Sequence, residues 1–310
     1  MQTRKMGLIY ALNRRGGWSH SHTHKPTLLD LNNDKLRIYF GVRNKDKRTT
    51  TTYIDVLKDD PRKIIYEHDK PCLGLGKLGT FDDAGANVSC AIRKEEKIFL
   101  YYIGWNTSTT VPSRNSIGLA VSEDGGVTFS RYADGPIMDR TPMEPYYTVA
   151  PYVLPVNNEY YMWYTSGTHW EIVDGRPEIH YHIKFAKSKD GINWDRPNVS
   201  CILPNADDEV TARPCVVYED GKYKMWYSYR SVKDFRVDVS RSYRIGYAES
   251  PDGINWTRLD HLFKLELSDS GWDSQMTAYP ALYTHDEKKY LIYNGNDFGK
   301  DGFGYALIEE

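Results

Sequence analysis

Four carboxylates are the candidate catalytic groups of this chain: Asp83, Glu144, Glu209 and Asp273. Each comes a few residues before, or at the start of, an apolar segment with the composition of a strand. If such groups meet in one pocket, one can protonate a glycosidic oxygen as a general acid while another acts as base or nucleophile. Each of them can equally be a turn former or one partner of a structural ion pair. We predict glycoside chemistry that uses at least two of the four.

Basic, aromatic and imidazole side chains at strand starts and in long loops are the predicted ligand contacts. Loops longer than a hairpin turn, gathered on one face of a fold, commonly carry function. The predicted set is His22, His24, Lys25, Asp82, Trp105, Arg114, Tyr147, His169, Trp170, Glu171, His182, Arg213 and Arg230.

The histidines alternate along two segments. His20, His22 and His24 would share one face of a strand, and His180 and His182 repeat the pattern. This spacing suits a metal ion, or hydrogen bonds to sugar or phosphate oxygens. It equally suits polar residues at a channel mouth. We predict no metal and no other cofactor.

A repeated turn indicates how these residues are positioned. SEDGGVTF begins at Ser122, SKDGINW at Ser188 and SPDGINW at Ser250, which is a repeat of roughly sixty residues. Each phrase follows an alternating strand and places Asp-Gly at a hairpin position. We interpret them as turns between the third and fourth strands of a repeated unit.

A second marker is a proline that opens an apolar strand. It occurs at Pro26, Pro151, Pro214 and Pro280, and Val88 takes the corresponding place in the remaining unit. These segments predict an all-β, five-bladed β-propeller formed by residues 1–310 as one domain, in which the strand Met6 to Leu12 completes the last blade. An open β-sandwich with the same number of strands is the alternative.

Composition excludes some partner classes. The 310 residues carry a formal net charge of -2, which argues against nucleic acid or an anionic membrane as the main partner. The chain has neither a long apolar run nor a recognisable signal segment, so we expect a soluble, cytoplasmic protein. Cys72, Cys90, Cys201 and Cys215 lack metal-binding spacing and are expected to be buried free thiols.

The SxDGxxW turns and the proline-led strands resemble the five-bladed propeller carbohydrate enzymes, namely the arabinanase/xylosidase, invertase/levansucrase and mannoside phosphorylase families. Segments such as GTFDDAGANVS, EPYYTVAP and GWDSQMTAYP are similar to propeller proteins associated with bacterial surface-polysaccharide or nucleotide-sugar gene sets. The resemblance implies a carbohydrate ligand in a pocket on the propeller axis.

One departure from these families affects the expected chemistry. In the arabinanase and invertase families the resemblance implies a catalytic Asp directly before the proline of a first strand. The five positions here are Lys25, Asn87, Ala150, Arg213 and Tyr279. None is a carboxylate, and the charge of Lys25 and Arg213 favours an anionic ligand such as phosphate, a nucleotide sugar or an acidic sugar.

Three functions therefore remain open. The first is an enzyme that cleaves or transfers a glycosyl unit of an anionic or activated sugar in surface-polysaccharide metabolism. The second is a non-catalytic sugar-binding or scaffold propeller in the same pathway. The third is a metal-dependent hydrolase that uses His22, His24 and His182.

Overall fold

Short runs rich in Tyr, Val, Ile and Thr, divided by Asp-Gly and other turn residues, fold as strands throughout the chain. The structure is a computed structural model that describes residues 1–13, 16–32 and 34–309. The N-terminal strand is β1 (Gln2–Tyr10). The strands that follow are β2 (Ser21–Asp30), β3 (Lys35–Arg43), β4 (Thr49–Leu57), β5 (Ile64–Glu67), β6 (Gly85–Lys94), β7 (Lys97–Thr107), β8 (Ser113–Ser122), β9 (Ser130–Arg131) and β10 (Thr148–Val156).

The second half continues the pattern. Its strands are β11 (Glu159–Val173), β12 (Arg176–Ser188), β13 (Ser200–Ile202), β14 (Glu209–Glu219), β15 (Lys222–Ser231), β16 (Arg244–Ser250), β17 (Thr257–Arg258), β18 (Ala278–His285), β19 (Lys288–Asn294) and β20 (Phe303–Glu309). Helical structure in the described part is limited to the 3-10 turns Val239–Arg241 and Asp260–Leu262 and the short turn α1 (Asn296–Gly299).

Consecutive strands pair antiparallel in units of four. Unit 1 is β2 to β5, unit 2 is β6 to β9, unit 3 is β10 to β13, unit 4 is β14 to β17, and unit 5 is β18, β19, β20 and β1. One parallel bridge, between Thr49 and Gly85, joins units 1 and 2 into a continuous sheet. The prediction that the N-terminal strand completes the last unit is confirmed, although β1 spans Gln2–Tyr10 rather than residues 6–12.

The hydrophobic core consists of layers between neighbouring units. Ile38 and Phe40 of unit 1 pack with Ile292 and Tyr305 of unit 5, in a cluster that joins the last unit to the first. Corresponding clusters join units 1 and 2, 2 and 3, 3 and 4, and 4 and 5. An open sandwich would not bring the last unit against the first, so this ring of core layers is that of an all-β propeller.

The repeated Asp-Gly turns hold adjacent units together. Each turn lies between the third and fourth strands of its unit, as predicted, and its glycine carbonyl accepts a hydrogen bond from an aromatic side chain on the second strand of the preceding unit. The pairs are Tyr39 with Gly126 at 2.7 Å, Tyr101 with Gly191 at 2.8 Å, and Trp163 with Gly253 at 2.7 Å. Unit 5 closes with β1 and has no such turn, and the corresponding Trp226 Nε1 lacks a partner among the described residues.

A β-bulge interrupts the first strand of every unit at the same place. The register shifts lie between His24 and Thr27, Val88 and Cys90, Val149 and Tyr152, Ala212 and Cys215, and Ala278 and Ala281. In four units the residue before the proline has a positive φ, which is unusual for residues with a side chain: Lys25 at 53°, Ala150 at 50°, Arg213 at 53° and Tyr279 at 60°. Bulges of this kind redirect side chains beside functional sites.

Candidate functional site

The bulged residues converge on a cavity of about 450 Å³ to which all five units contribute. All five residues that take the position before the strand proline line it: Lys25, Asn87, Ala150, Arg213 and Tyr279. The aromatic part of the wall is formed by Tyr147, Tyr181 and Tyr243, together with Trp105 at the end of the second strand of unit 2. We call this space the central cavity.

The charged residues that line the central cavity are all basic. Lys25, Arg43, Lys47 and Arg213 line it, and no Asp or Glu of the described residues does so. Arg43 and Lys47 were missed by the sequence reasoning. Arg43 could have been found from strand pairing, since it ends β3 opposite Ser21, next to His22.

Arg213 is the strongest indication of an anion-binding site. Its side chain is 1% exposed, and its Nη2 donates to Thr27 Oγ1 at 2.9 Å and to the Pro26 carbonyl at 3.2 Å. Nε and Nη1 have no hydrogen-bond partner among the described residues. Burial lowers the pKa of this guanidinium, yet it remains charged near neutrality. An unpaired buried cation is costly, so the site is suited to an anion.

Lys25 projects into the same space from β2. Burial, followed by the nearby charges of Arg213 and Arg43, lowers the pKa of its ammonium group to about 7. The amine lies 4.8 Å from the centre of the Tyr279 ring. Its backbone NH donates to Asn294 Oδ1 at 2.7 Å, which holds the bulge in place.

His22 and His24 lie beside these cations with their rings stacked at a centroid distance of 4.6 Å. Burial and then the charge of Arg43 lower the pKa of His22 to about 4, and the same two causes lower the pKa of His24. Both imidazoles are therefore neutral at pH 7. Only His24 lines the central cavity, where a neutral ring can exchange hydrogen bonds with ligand oxygens.

The four predicted catalytic carboxylates do not converge in the central cavity, because three of them are held in ion pairs within their own units. In units 2, 3 and 5 an acid ahead of the first strand accepts from a tyrosine of the second strand and pairs with a cation in or next to the fourth. We call this arrangement the carboxylate clamp. Its members are Asp82 with Tyr102 and Arg131, Glu144 with Tyr164 and Arg196, and Asp273 with Tyr293 and Lys5.

The acids of the carboxylate clamp are buried, their cations are half-buried, and two of the three ion pairs are short. Arg131 Nε lies 2.7 Å from Asp82, and Lys5 Nζ lies 2.6 Å from Asp273. Glu144 also accepts from Ser166 Oγ at 2.7 Å. Asp82, Glu144 and Asp273 are each at most 2% exposed. These acids have their charge and lone pairs satisfied by the fold, which accounts for their position near strand starts without a catalytic role.

Unit 4 modifies the clamp, and Asp83 lies outside it. Glu209 pairs with Arg258 at 2.6 Å, while the second-strand Tyr227 donates to Asp260 instead, at 2.6 Å. Asp83 caps a turn by accepting from the Gly79 NH at 2.9 Å.

The remaining predicted contacts divide between the central cavity and the rim. Tyr147 and Trp105 line the cavity, and Trp170 packs edge-on against Tyr147 at a centroid distance of 6.3 Å. Arg230 lies behind the wall, with its guanidinium 3.6 Å from the centre of the Phe235 ring. Arg114 is exposed and does not line the cavity.

A second group of predicted residues lies on the extended β11 and β12 hairpin. His169 stacks on His180 at a centroid distance of 4.0 Å, and His180 Nε2 lies 2.9 Å from Glu171. His182 bonds to Ser200 Oγ at 2.8 Å, and burial lowers its pKa to about 4. His182 is thus held apart from His22 and His24. Within residues 1–13, 16–32 and 34–309, no group of three or more His, Cys, Asp or Glu side chains is arranged to hold a metal ion.

Two further sequence expectations concern thiols and membranes. Cys72, Cys90, Cys201 and Cys215 are all buried and free, as predicted. None of the helices in the described residues has the length and apolar character needed to cross a bilayer.

Comparison with curated proteins places the chain in a family. "Uncharacterized protein MT1551" of Mycobacterium tuberculosis (strain CDC 1551 / Oshkosh) is 34% identical over 310 residues, which covers 100% of both proteins. This chain belongs to the same family as that mycobacterial protein. The β-1,2-mannobiose phosphorylase of Thermoanaerobacter sp. (strain X514) is 26% identical over 168 residues, or 51% of this chain and 52% of the phosphorylase. No protein-family model matches the chain.

Solved structures share the fold. One described as a glycoside hydrolase superposes with a TM-score of 0.78 at 17% identity, covering 99% of this chain and 93% of the other. Another, a thermostable family-43 glycoside hydrolase, superposes with a TM-score of 0.65 at 16% identity, covering 95% of this chain and 91% of the other. The chain therefore has the propeller fold found in glycoside hydrolases.

Proposed function

We propose that the protein is a carbohydrate-active enzyme whose central cavity binds the anionic group of a sugar substrate or of a co-substrate such as phosphate. The observation that carries this proposal is the buried Arg213, with Nε and Nη1 unpaired beside Lys25 and Arg43 and with no lining carboxylate among the described residues. A bound phosphate or carboxylate would satisfy both the charge and the free donors.

The sugar part of the proposal rests on the other lining groups. The cavity wall carries tyrosine rings and Trp105, which can stack on a pyranose face. Asn87 Oδ1 is buried and lacks a partner among the described residues, so it can accept from a sugar hydroxyl. The glycoside hydrolase fold of the structural neighbours, and the partial similarity to a mannobiose phosphorylase, support the same class of ligand.

Phosphorolysis fits the charge of the cavity better than hydrolysis by two carboxylates. In phosphorolysis an oxygen of the bound phosphate attacks the anomeric carbon while the glycosidic bond breaks. The departing oxygen takes a proton, which a phosphate monoanion can itself carry. Such a reaction does not need a carboxylate nucleophile in the cavity. The place in surface-polysaccharide metabolism, a nucleotide-sugar substrate and a cytoplasmic location remain predictions.

Binding and turnover are tested separately. Calorimetric titration should show binding of inorganic phosphate or sulfate to the purified protein, and Arg213→Met should weaken it at least tenfold. The matched control is Arg114→Met, because Arg114 is exposed outside the cavity. Incubation of β-1,2-mannobiose and other oligosaccharides with phosphate should release a sugar phosphate. Unchanged anion binding in Arg213→Met would refute the assignment of the cavity.

The absence of carboxylates from the described lining of the central cavity also favours a second candidate, a non-catalytic sugar-binding propeller. Because the clamped acids Asp82, Glu144 and Asp273 are occupied, the described part of the cavity lining offers no carboxylate acid or base. This function predicts ligand binding without any product from a broad panel of glycosides and nucleotide sugars. Release of a sugar phosphate would exclude it.

A further inference from the structure

The half-buried Lys25 differs in its contacts from Lys184, a buried lysine close to the clamp of unit 3. Lys184 is held by Asn198 Oδ1 at 2.6 Å and lies 3.7 Å from Glu144. The Lys25 amine, in contrast, makes no ion pair or side-chain hydrogen bond with any described residue, and its side chain lines the central cavity. Lys184 therefore has a structural role that Lys25 lacks.

The groups that line the central cavity around Lys25 are cationic or neutral, and Asp297 on the adjacent α1 turn acts on His22 and Arg43. The groups that face it from packed elements are Arg43 on β3, Asn87 on β6, Arg213 on β14, Tyr279 on β18 and Asn294 on β19, with His24 as its neighbour on β2. No acidic side chain of the described residues lines the cavity to stabilise an ammonium ion. A lysine desolvated next to other cations is a recognised arrangement for an amine nucleophile.

In this arrangement, different residues can bind the ligand and react with it. Guanidinium groups keep their charge at all ordinary pH values, so Arg213 and Arg43 can hold an anionic group when Lys25 has lost its proton. A substrate that carries both an anion and a carbonyl carbon would then meet two fixed cations and one free amine. Open-chain sugar phosphates and sugar acids are compounds of this kind.

We propose that Lys25 is a nucleophile that forms a reversible imine with the carbonyl group of an anionic open-chain sugar, a role that rests on the proposed anion binding in the central cavity. The Lys25 Nζ lone pair attacks the carbonyl carbon, and the carbonyl π electrons move to oxygen, which takes a proton. The resulting carbinolamine loses the nitrogen proton and hydroxide as water to give the imine. Hydrolysis returns the amine and the carbonyl compound, so the step needs no oxidant or reductant.

Reductive trapping on the full chain tests this role. Pyridoxal phosphate serves as a probe that carries an aldehyde and a phosphate, and pyridoxal serves as the matched probe without the anion. After brief exposure to each probe and reduction with borohydride, peptide mass spectrometry measures labelling at every lysine. We expect Lys25 to be labelled at least tenfold faster than the exposed Lys189 and Lys288, and at least tenfold faster by pyridoxal phosphate than by pyridoxal.

Variants and competition make the result specific. Inorganic phosphate should suppress labelling of Lys25 and leave Lys189 unchanged. Arg213→Met should slow Lys25 labelling at least tenfold, and Lys25→Arg should remove this label while phosphate still binds. Labelling of Lys25 no faster than that of Lys189, or labelling of Lys47, the exposed lysine of the cavity lining, instead of Lys25, would overturn the proposal. If phosphate binds in calorimetry while Lys25 stays unlabelled, the nucleophilic role of Lys25 is refuted and the proposed anion site is supported. If phosphate neither binds nor protects Lys25 from labelling, both proposals are refuted.

Discussion

Replacing Lys25 with methionine should stabilise the protein, and the gain should shrink as the pH rises. Methionine has a similar unbranched side chain without a charge. Burial beside Arg213 and Arg43 lowers the pKa of Lys25 from 10.5 to about 7 in the folded protein. Below pH 7 the folded state must therefore hold an ammonium ion that the unfolded chain solvates more readily.

The size of the effect follows from proton linkage. Each pKa unit corresponds to about 1.36 kcal/mol, so at pH 6 the penalty on the native state approaches about 5 kcal/mol. Between pH 7 and 10.5 the native protein has lost this proton while the unfolded chain keeps it, so native stability rises with pH. At pH 9 the remaining penalty is about 2 kcal/mol, which leaves a change of about 3 kcal/mol between pH 6 and 9. Solvent in the open cavity screens the charge, so this figure is an upper bound.

Urea unfolding of both proteins at pH 6, 7.5 and 9 measures this change. The buffers should contain chloride as the only added anion, because phosphate or sulfate would bind and hide the penalty. Differences in packing between lysine and methionine do not depend on pH and cancel in the comparison. Lys189→Met, at an exposed site, should show no pH-dependent difference. A stability difference between Lys25→Met and the parent that stays constant from pH 6 to 9 would refute a neutral Lys25.

Three further outcomes are expected. Sulfate affinity, measured by calorimetry, should rise up to about tenfold from pH 8 to pH 6 as Lys25 takes up a proton, and Lys25→Met should abolish this dependence. Glu144→Gln should lower the free energy of unfolding by about 3 kcal/mol, because it leaves Arg196 without its buried partner. Sulfate affinity should stay within twofold. A stable variant that no longer binds sulfate would show that Glu144 takes part in ligand binding. Trp163→Phe should lower the free energy of unfolding, measured in urea, by about 1 kcal/mol, because the hydrogen bond to the Gly253 carbonyl is lost. Trp226→Phe is the control, because Trp226 Nε1 has no partner among the described residues. Equal losses at both sites would contradict a stabilising role for the bond between Trp163 and the turn.

Local patterns were sufficient to predict the architecture. The Asp-Gly turns depend on contacts within a few residues: Ser188 Oγ accepts from the Gly191 NH at 2.9 Å, and Asp190 accepts from the Ile192 and Asn193 NH groups at 2.8 Å. Because the same short-range bonds recur in successive units, the repeat could be recognised in the amino-acid sequence. The proline that opens a first strand is likewise a local signal, although the bulge before it is held by long-range bonds such as that from the Lys25 NH to Asn294 Oδ1.

The candidate site was predicted mainly at positions directly before the first strands, and Trp105 was predicted from a long loop. Lys25 and Arg213 were expected near the ligand for the first reason, and the structure places both at bulges that line the central cavity. Arg43 and Tyr243 escaped notice because they come from other strand and loop positions, and only the packing of separate units brings them to the cavity.

The role of the carboxylates was decided by tertiary structure alone. An acid ahead of a first strand looks the same in the sequence whether it faces a ligand or an internal partner. Asp273 meets Lys5 across nearly the whole length of the chain, and Glu144 meets Arg196 from the loop before the last strand of its unit. Composition, the turn repeat and the cations at the bulges could be established from the sequence by itself, because they depend on neighbouring residues. The cationic, carboxylate-free lining of the central cavity depends on which distant charges neutralise one another, and only the folded ring determines that.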